Sequence, residues 1–106
     1  MIITTTPAIS GKEVTNYLGV VTGETIFAIN AVRDFFASIR DIVGGRTNSY
    51  EEVLTKARTE ALNEMQHRAE ALGADAIVGV HISYESLGGN ATMLMVCCTG
   101  TAVKLA

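Results

Sequence analysis

Three sulfur-bearing side chains alternate near the C-terminal end of this chain. Met93, Met95 and Cys97 are each two residues apart, so in a β-strand they would lie on one face. Thioethers and a thiolate are soft donors that suit copper(I) or a related heavy-metal ion. The alternative is ordinary packing, because methionine fills irregular gaps and free cysteine behaves as a small hydrophobic side chain. The spacing alone leaves both interpretations open.

A fourth donor, His81, lies in the preceding strand-like run. If the hairpin turns about Gly88, His81 lies roughly opposite Met95, within cross-strand reach. A change of register by one residue would move His81 to the other face and remove it from the site. The predicted metal site comprises His81, Met93, Met95 and Cys97.

A second candidate site lies between the two predicted helices. A glycine turn beside a helix N-terminus can hold an anion with its backbone N–H groups, and an arginine there can add a forked contact. The alternatives are a plain helix–helix connection or a contact between subunits. The predicted anion-binding or interface residues are Gly44, Gly45, Arg46, Tyr50 and Glu51.

Catalytic groups are scarce in the sequence. A nucleophile needs a base within hydrogen-bond reach, and the only Cys–His combination is Cys97 or Cys98 with His81. The sequence contains no P-loop, no GxGxxG and no GxSxG motif. We therefore expect a binding protein and not an enzyme.

Composition limits the class of protein. The 106 residues predict one domain spanning 1–106. A net charge of -3 argues against nucleic acid as a partner. Without a signal-peptide pattern or an apolar run near the ~18 residues of a membrane span, we expect a soluble cytoplasmic protein with no membrane partner. A hydrophobic share of 48% is more than so small a domain can bury, so some apolar surface is expected to remain exposed. Such a surface predicts self-association.

Periodicity predicts the elements that position these residues. The second predicted helix opens with a capping box at Ser49, ends at Gly73, and carries a stripe of mostly small residues. That stripe comprises Leu54, Ala57, Ala61, Met65, Ala69 and Leu72. The predicted elements are strands over 2–6 and 17–29, helices over 31–43 and 49–72, and strands over 75–85 and 92–104.

This element order predicts an α+β fold of two layers. A largely antiparallel sheet carries two helices on one face, in the order strand-strand-helix-helix-strand-strand. Gly19 and Gly23 are expected to mark bulges or close approaches in the second strand. Val78, Val80 and Ile82 are expected to share one face of the third strand. The other face of the sheet needs a cover, and a second subunit is the simplest one.

Several short motifs, in their order and spacing, resemble the YbjQ-like proteins, a family of unknown function described as heavy-metal-binding. These are VVTGE, DIVGGR followed by YE, GADAIVGV, MLMV and GTAV. The resemblance covers nearly the whole chain and implies an α+β subunit in a closed ring, usually a homopentamer. The family's V-D-I-D-Y-E is VHISYE here. His81 and Ser83 therefore replace acidic residues, so a soft-metal site would be specific to this chain.

Overall fold

The computed structural model describes residues 1–28, 48–87 and 93–106, and side-chain surroundings for 1–26, 51–86 and 93–106. The described residues form one four-stranded sheet with one helix on it. Its elements are β1 (Ile2–Ile3), β2 (Val14–Ala28), α1 (Asn48–Ala71), β3 (Ala76–Leu87) and β4 (Met93–Leu105).

The sheet is mixed, with the strand order β1-β3-β4-β2. β1 runs parallel to β3, while β4 pairs antiparallel with both β3 and β2. The α+β class and the largely antiparallel sheet are therefore confirmed. The predicted first helix over 31–43 lies outside the described residues, so a two-helix layer is not shown. A single chain does not test the predicted ring.

The apolar stripe of α1 packs on the sheet as predicted. Ala57, Ala61, Met65 and Ala69 are completely buried. A Cβ added at Gly23 would overlap the carbonyl oxygen of Ala61, which confirms the expected close approach of the backbone at Gly23. Leu72 does not belong to this stripe: it lies beyond the end of α1 and remains 50% exposed.

The end of α1 confirms the stop predicted at Gly73. Gly73 has a φ of 79°, and its N–H donates to the carbonyl of Glu70 at 2.9 Å. The N–H of Ala74 donates to the carbonyl of Ala69 at 3.1 Å. These two bonds form a Schellman motif, which satisfies the last free carbonyls of the helix. No helix in the described ranges is both long and apolar enough to cross a membrane.

A bulge in β3 changes which residues share a face. Val78 lies opposite Thr101, but His81 lies opposite Thr99, so β3 has one residue more than β4 between these pairs. Gly79 takes the extra position with a φ of 61°, as in bulges that place a glycine in the left-handed region. The expectation that Val78 and Val80 share a face is therefore wrong.

The bulge gives β3 two distinct faces. Ile77, Val80 and Ile82 pack in the core with α1. Val78 packs in a second apolar cluster, near Ile9. The N-terminal segment bonds to the bulge: the N–H groups of Gly79 and Val80 donate to the carbonyls of Thr6 and Thr4 at 2.9 and 3.0 Å, respectively. This segment therefore satisfies backbone groups that the bulge withdraws from the ladder.

Candidate functional site

The predicted metal donors lie on the sheet surface opposite α1, which we call the open face. Residues directly paired across strands share a face, as do residues two apart along one strand. Around Cys97, the open face consists of three cross-strand rows running from β2 through β4 to β3. The rows are Thr22–Thr99–His81, Glu24–Cys97–Ser83 and Ile26–Met95–Glu85.

The alternation of Met93, Met95 and Cys97 on one face is confirmed. Their neighbours Val96 and Cys98 are completely buried on the side of α1. Met95 and Cys97 are half-buried, and Met93 is 40% exposed. The three sulfur atoms therefore belong to a surface that is partly accessible to solvent and are not part of the main core.

His81 is on the same face as Cys97, but it does not lie opposite Met95. It pairs with Thr99 and is therefore a diagonal neighbour of Cys97. The expected position is wrong because the strand register differs from the one assumed: Leu87 pairs with Met93, and His81 pairs with Thr99. The imidazole stays on the predicted face and is exposed, at the distance of a diagonal pair, ~7–8 Å between backbones.

Two carboxylates that the sequence pattern did not indicate lie beside Cys97. Glu24 is directly opposite it on β2, and Glu85 is diagonal to it on β3. Burial raises the pKa of the Cys97 thiol, and the negative charges of Glu24 and Glu85 raise it further. At neutral pH the isolated site therefore favours the protonated thiol, and a cation would be needed to stabilise the thiolate.

Cys98 has a different environment from its neighbour. It is completely buried in the core beneath α1, and burial raises the pKa of its thiol, with a further contribution from Cys97. Both cysteines are free, since neighbours along a strand point to opposite faces and are poorly placed to bridge each other. Cys98 therefore belongs to the packing of the sheet, while Cys97 is available to the open face.

Arg68 of α1 reaches around the outer edge of β2 to the row of Glu24. Its guanidinium donates to the carbonyl of Thr22 at 2.8 Å and to the hydroxyl of Thr22 at 3.0 Å. It also lies 3.5 Å from the carboxylate of Glu24 and forms an ion pair with Glu64. β2 is an edge strand of the sheet that the described residues form. Arg68 therefore binds a carbonyl on the outer side of this edge and holds Glu24 at the border of the open face.

The donors on the open face fit a heavy-metal ion in kind. A thiol, a thioether, an imidazole and carboxylates are all ligands of such ions. In the described ranges, however, no three His, Cys, Asp or Glu side chains converge closely enough to hold one. The described residues of this chain therefore offer a partial ligand set centred on Cys97.

The predicted anion site is only partly covered by the structure. Gly44, Gly45 and Arg46 lie outside the described residues, as does the side chain of Tyr50. Glu51 is exposed in the first turn of α1, which begins at Asn48. Anion binding at this position stays a prediction.

These features define the class: a small α+β domain whose sheet has one face covered by a helix and an opposite face carrying a partial set of metal donors. A family model described as "Putative heavy-metal-binding" matches residues 1–106. The chain belongs to this family, the YbjQ family, which confirms the resemblance.

A solved structure supports the fold independently. The chain is similar to the crystal structure of a protein of unknown function from Pediococcus pentosaceus ATCC 25745, which belongs to the DUF74 family. The TM-score is 0.67 and the sequence identity 19%, over 100% of this chain and 98% of the other. At this identity the likeness concerns the fold alone.

Proposed function

We propose that this protein binds a heavy-metal ion on its open face, with Cys97 as the central ligand. The observation that carries the proposal is the position of Cys97. Its half-buried thiol lies on one face with Met95 and with the diagonal neighbour His81. The description of the family supports the same function. Met93 lies further along the same strand and extends the row of soft donors.

The proposal includes assembly as a homo-oligomer, for which the resemblance implies a ring of five. Val20 and Ile26, on the open face, are 76% and 56% exposed, and apolar side chains this exposed favour a covered surface. A second subunit on this face would exclude water and bring further donors to the partial ligand set of Cys97. Self-association and metal binding would then depend on each other.

We further propose a binding role without catalysis, in the cytoplasm. The thiols of Cys97 and Cys98 both have a raised pKa because of burial and nearby negative charge, whereas a catalytic cysteine needs a lowered one. A site that depends on a free thiol also requires a reducing compartment, since oxidising compartments convert thiols to disulfides.

Metal titration of the reduced protein tests the proposal. Copper(I) and cadmium(II) would be titrated separately in competition with a chromophoric chelator, on the wild type and on Cys97→Ser. Cys98→Ala is the matched control, since it removes the neighbouring thiol from the opposite face. We expect stoichiometric uptake of at least one ion by the wild type and by Cys98→Ala, and weaker uptake by Cys97→Ser.

Unchanged uptake in Cys97→Ser, or no tight uptake by the wild type, would contradict the proposal. In that case a purely structural interaction module is the better interpretation. That module would show no response to metals or anions but a stability that rises with protein concentration. A thermal-shift panel of anions on the same samples tests the remaining alternative, the predicted anion-binding site that includes Arg46.

A further inference from the structure

The outer edge of β2 is a long and regular strand edge. From residue 20 to residue 28 the strand pairs with β4 without a register shift, and within the described ranges no strand lies beyond it. In an antiparallel strand both backbone groups of one residue point to the same side, and the side alternates along the chain. Because the carbonyl of Thr22 faces outwards to Arg68, the backbone groups of Val20, Glu24 and Ile26 point outwards as well.

The sequence of this edge favours pairing with another strand. Residues 20–26 read VVTGETI, with five β-branched residues, one charge and no proline. Short segments of this composition add readily to other strands, and native proteins protect such edges with charged side chains. A second copy of β2 fits the edge: antiparallel pairing of the two copies at Thr22 would place Glu24 of each copy opposite Val20 of the other, so no like charges would be opposed.

Arg68 occupies the centre of this edge. Its guanidinium donates to the carbonyl and to the hydroxyl of Thr22 at 2.8 and 3.0 Å, and it lies 3.5 Å from the carboxylate of Glu24. Glu64, four residues earlier on α1, forms an ion pair with the same guanidinium, so the side chain is held from both the helix and the strand. A strand that paired here would need the carbonyl of Thr22 as an acceptor. It would therefore have to displace hydrogen bonds from a charged donor, which are stronger than those between neutral groups.

We propose that Arg68 blocks the outer edge of β2 and thereby keeps two copies of this protein from pairing through this strand. α1 can supply the block because the close contact of Gly23 with Ala61 brings the helix near β2. The block acts on the backbone at the strand edge and leaves Val20 and Ile26 of the open face exposed. Association through the open face, as proposed above, is therefore compatible with it, and the block does not depend on metal binding.

The experiment compares Arg68→Met with the wild type, both as full-length, reduced protein. Methionine keeps an unbranched side chain and removes the hydrogen-bond donors. Arg58→Met is the matched control, because it makes the same substitution on α1 at an arginine that contacts Tyr84 of β3. Glu64→Gln is a second, milder variant that frees the guanidinium from the helix. Light scattering over a series of concentrations gives the mass, hydrogen–deuterium exchange gives the protection of the amides of β2, and thermal unfolding verifies each fold.

We expect Arg68→Met to assemble into larger species than the wild type. The concentration for half-assembly should fall by about tenfold or more, because the pairing strand no longer displaces charge-assisted hydrogen bonds. The amides of β2 should exchange more slowly as Arg68→Met assembles, since the new strand bonds to the outward N–H groups. Glu64→Gln should shift assembly in the same direction by a smaller factor, and Arg58→Met should have the mass of the wild type at each concentration.

Two results would overturn the proposal. One is a folded Arg68→Met with the mass and the amide exchange of the wild type. The other is a larger mass without slower exchange in β2, which would mean that the copies meet through another surface. If Arg68→Met does not fold, the same comparison on Glu64→Gln decides. The mass of the wild type reports on the proposed oligomer, whereas the difference between variant and wild type reports on Arg68, so the two proposals can fail separately.

Discussion

Gly23 of β2 lies directly beneath Ala61 of α1, and a Cβ at Gly23 would overlap the carbonyl oxygen and approach the backbone of Met65. The two residues lie where the helix comes close to the sheet, and both are buried. The neighbours of Gly23 along β2, Thr22 and Glu24, belong to the opposite side of the sheet, the open face. The closeness of the helix therefore helps fix the strand that carries Glu24.

Gly23→Ala tests this contact. The added methyl would meet the backbone of α1, which cannot move aside without shifting the helix, so we expect a loss of about 2 kcal/mol or more in the free energy of unfolding. Chemical denaturation of both proteins measures the loss.

Gly100→Ala is the matched comparison for Gly23→Ala. Gly100 is also buried on the helix side, but a Cβ there would meet side-chain methyl groups of Ile77 and Val80, at 2.6 and 3.1 Å. Side chains can adjust more easily than backbone, so Gly100→Ala should cost less than Gly23→Ala. An equal or larger loss for Gly100→Ala would contradict the argument.

The bulge at Gly79 gives a second prediction. A Cβ at Gly79 would meet nothing within 4 Å, but its φ is 61°. The cost of substitution is therefore backbone strain, about 1–2 kcal/mol for alanine. Asparagine tolerates this conformation better, so Gly79→Asn should be more stable than Gly79→Ala in thermal unfolding. Equal stabilities would show that the strain is not what makes glycine favourable here.

Local signals in the sequence were sufficient for much of the fold. The end of α1 at Gly73 and the stripe around Ala61 follow from helical periodicity and from the conformational freedom of glycine, which act within a few residues. Likewise, the shared face of Met95 and Cys97 follows from the period of a strand. Such features are predictable because each depends on neighbours along the chain.

The partners of Cys97 were less predictable because they depend on pairings between distant segments. Glu24 is placed opposite Cys97 by the register of β2 against β4, which no local pattern records. The bulge at Gly79 reversed the expected face of Val78, because one extra residue changes the alternation. His81 nevertheless lies on the predicted face. His81 and its partner Thr99 both lie on the Leu87–Met93 side of the bulge, where the pairing of β3 with β4 is regular.

Asp75 gives a prediction about pH. Its carboxylate accepts a hydrogen bond from the N–H of Leu105 at 2.9 Å and lies 3.7 Å from the ammonium of Lys104. The bond to Leu105, and then the charge of Lys104, hold the pKa of Asp75 below its ordinary value of 3.8. A pKa lowered by folding stabilises the protein above the unfolded-state pKa, and this contribution is lost as the pH falls through the lowered value.

Asp75→Asn should therefore be less stable than the wild type at neutral pH. The difference in stability between the two proteins should become smaller below about pH 4. Thermal unfolding at a series of pH values measures both curves. Glu13→Gln is a suitable control, since Glu13 is an exposed carboxylate. A difference between wild type and Asp75→Asn that stayed constant down to low pH would show that the charge of Asp75 does not act in this way.

The thiol of Cys97 gives the last prediction, which requires no metal. Burial and the charges of Glu24 and Glu85 raise its pKa, so the thiolate fraction near pH 8 is small and alkylation should be slow. Glu24→Gln removes one of these charges, lowers the pKa and should speed alkylation of Cys97 by iodoacetamide, while the buried Cys98 should react only on unfolding. The rate is measured by mass spectrometry after digestion. In a Cys98→Ala background, Cys97 is the remaining cysteine, so every alkylated peptide reports on Cys97. If alkylation across a pH series shows the same midpoint in the wild type and in Glu24→Gln, then the charge of Glu24 does not act on the thiol of Cys97 in solution.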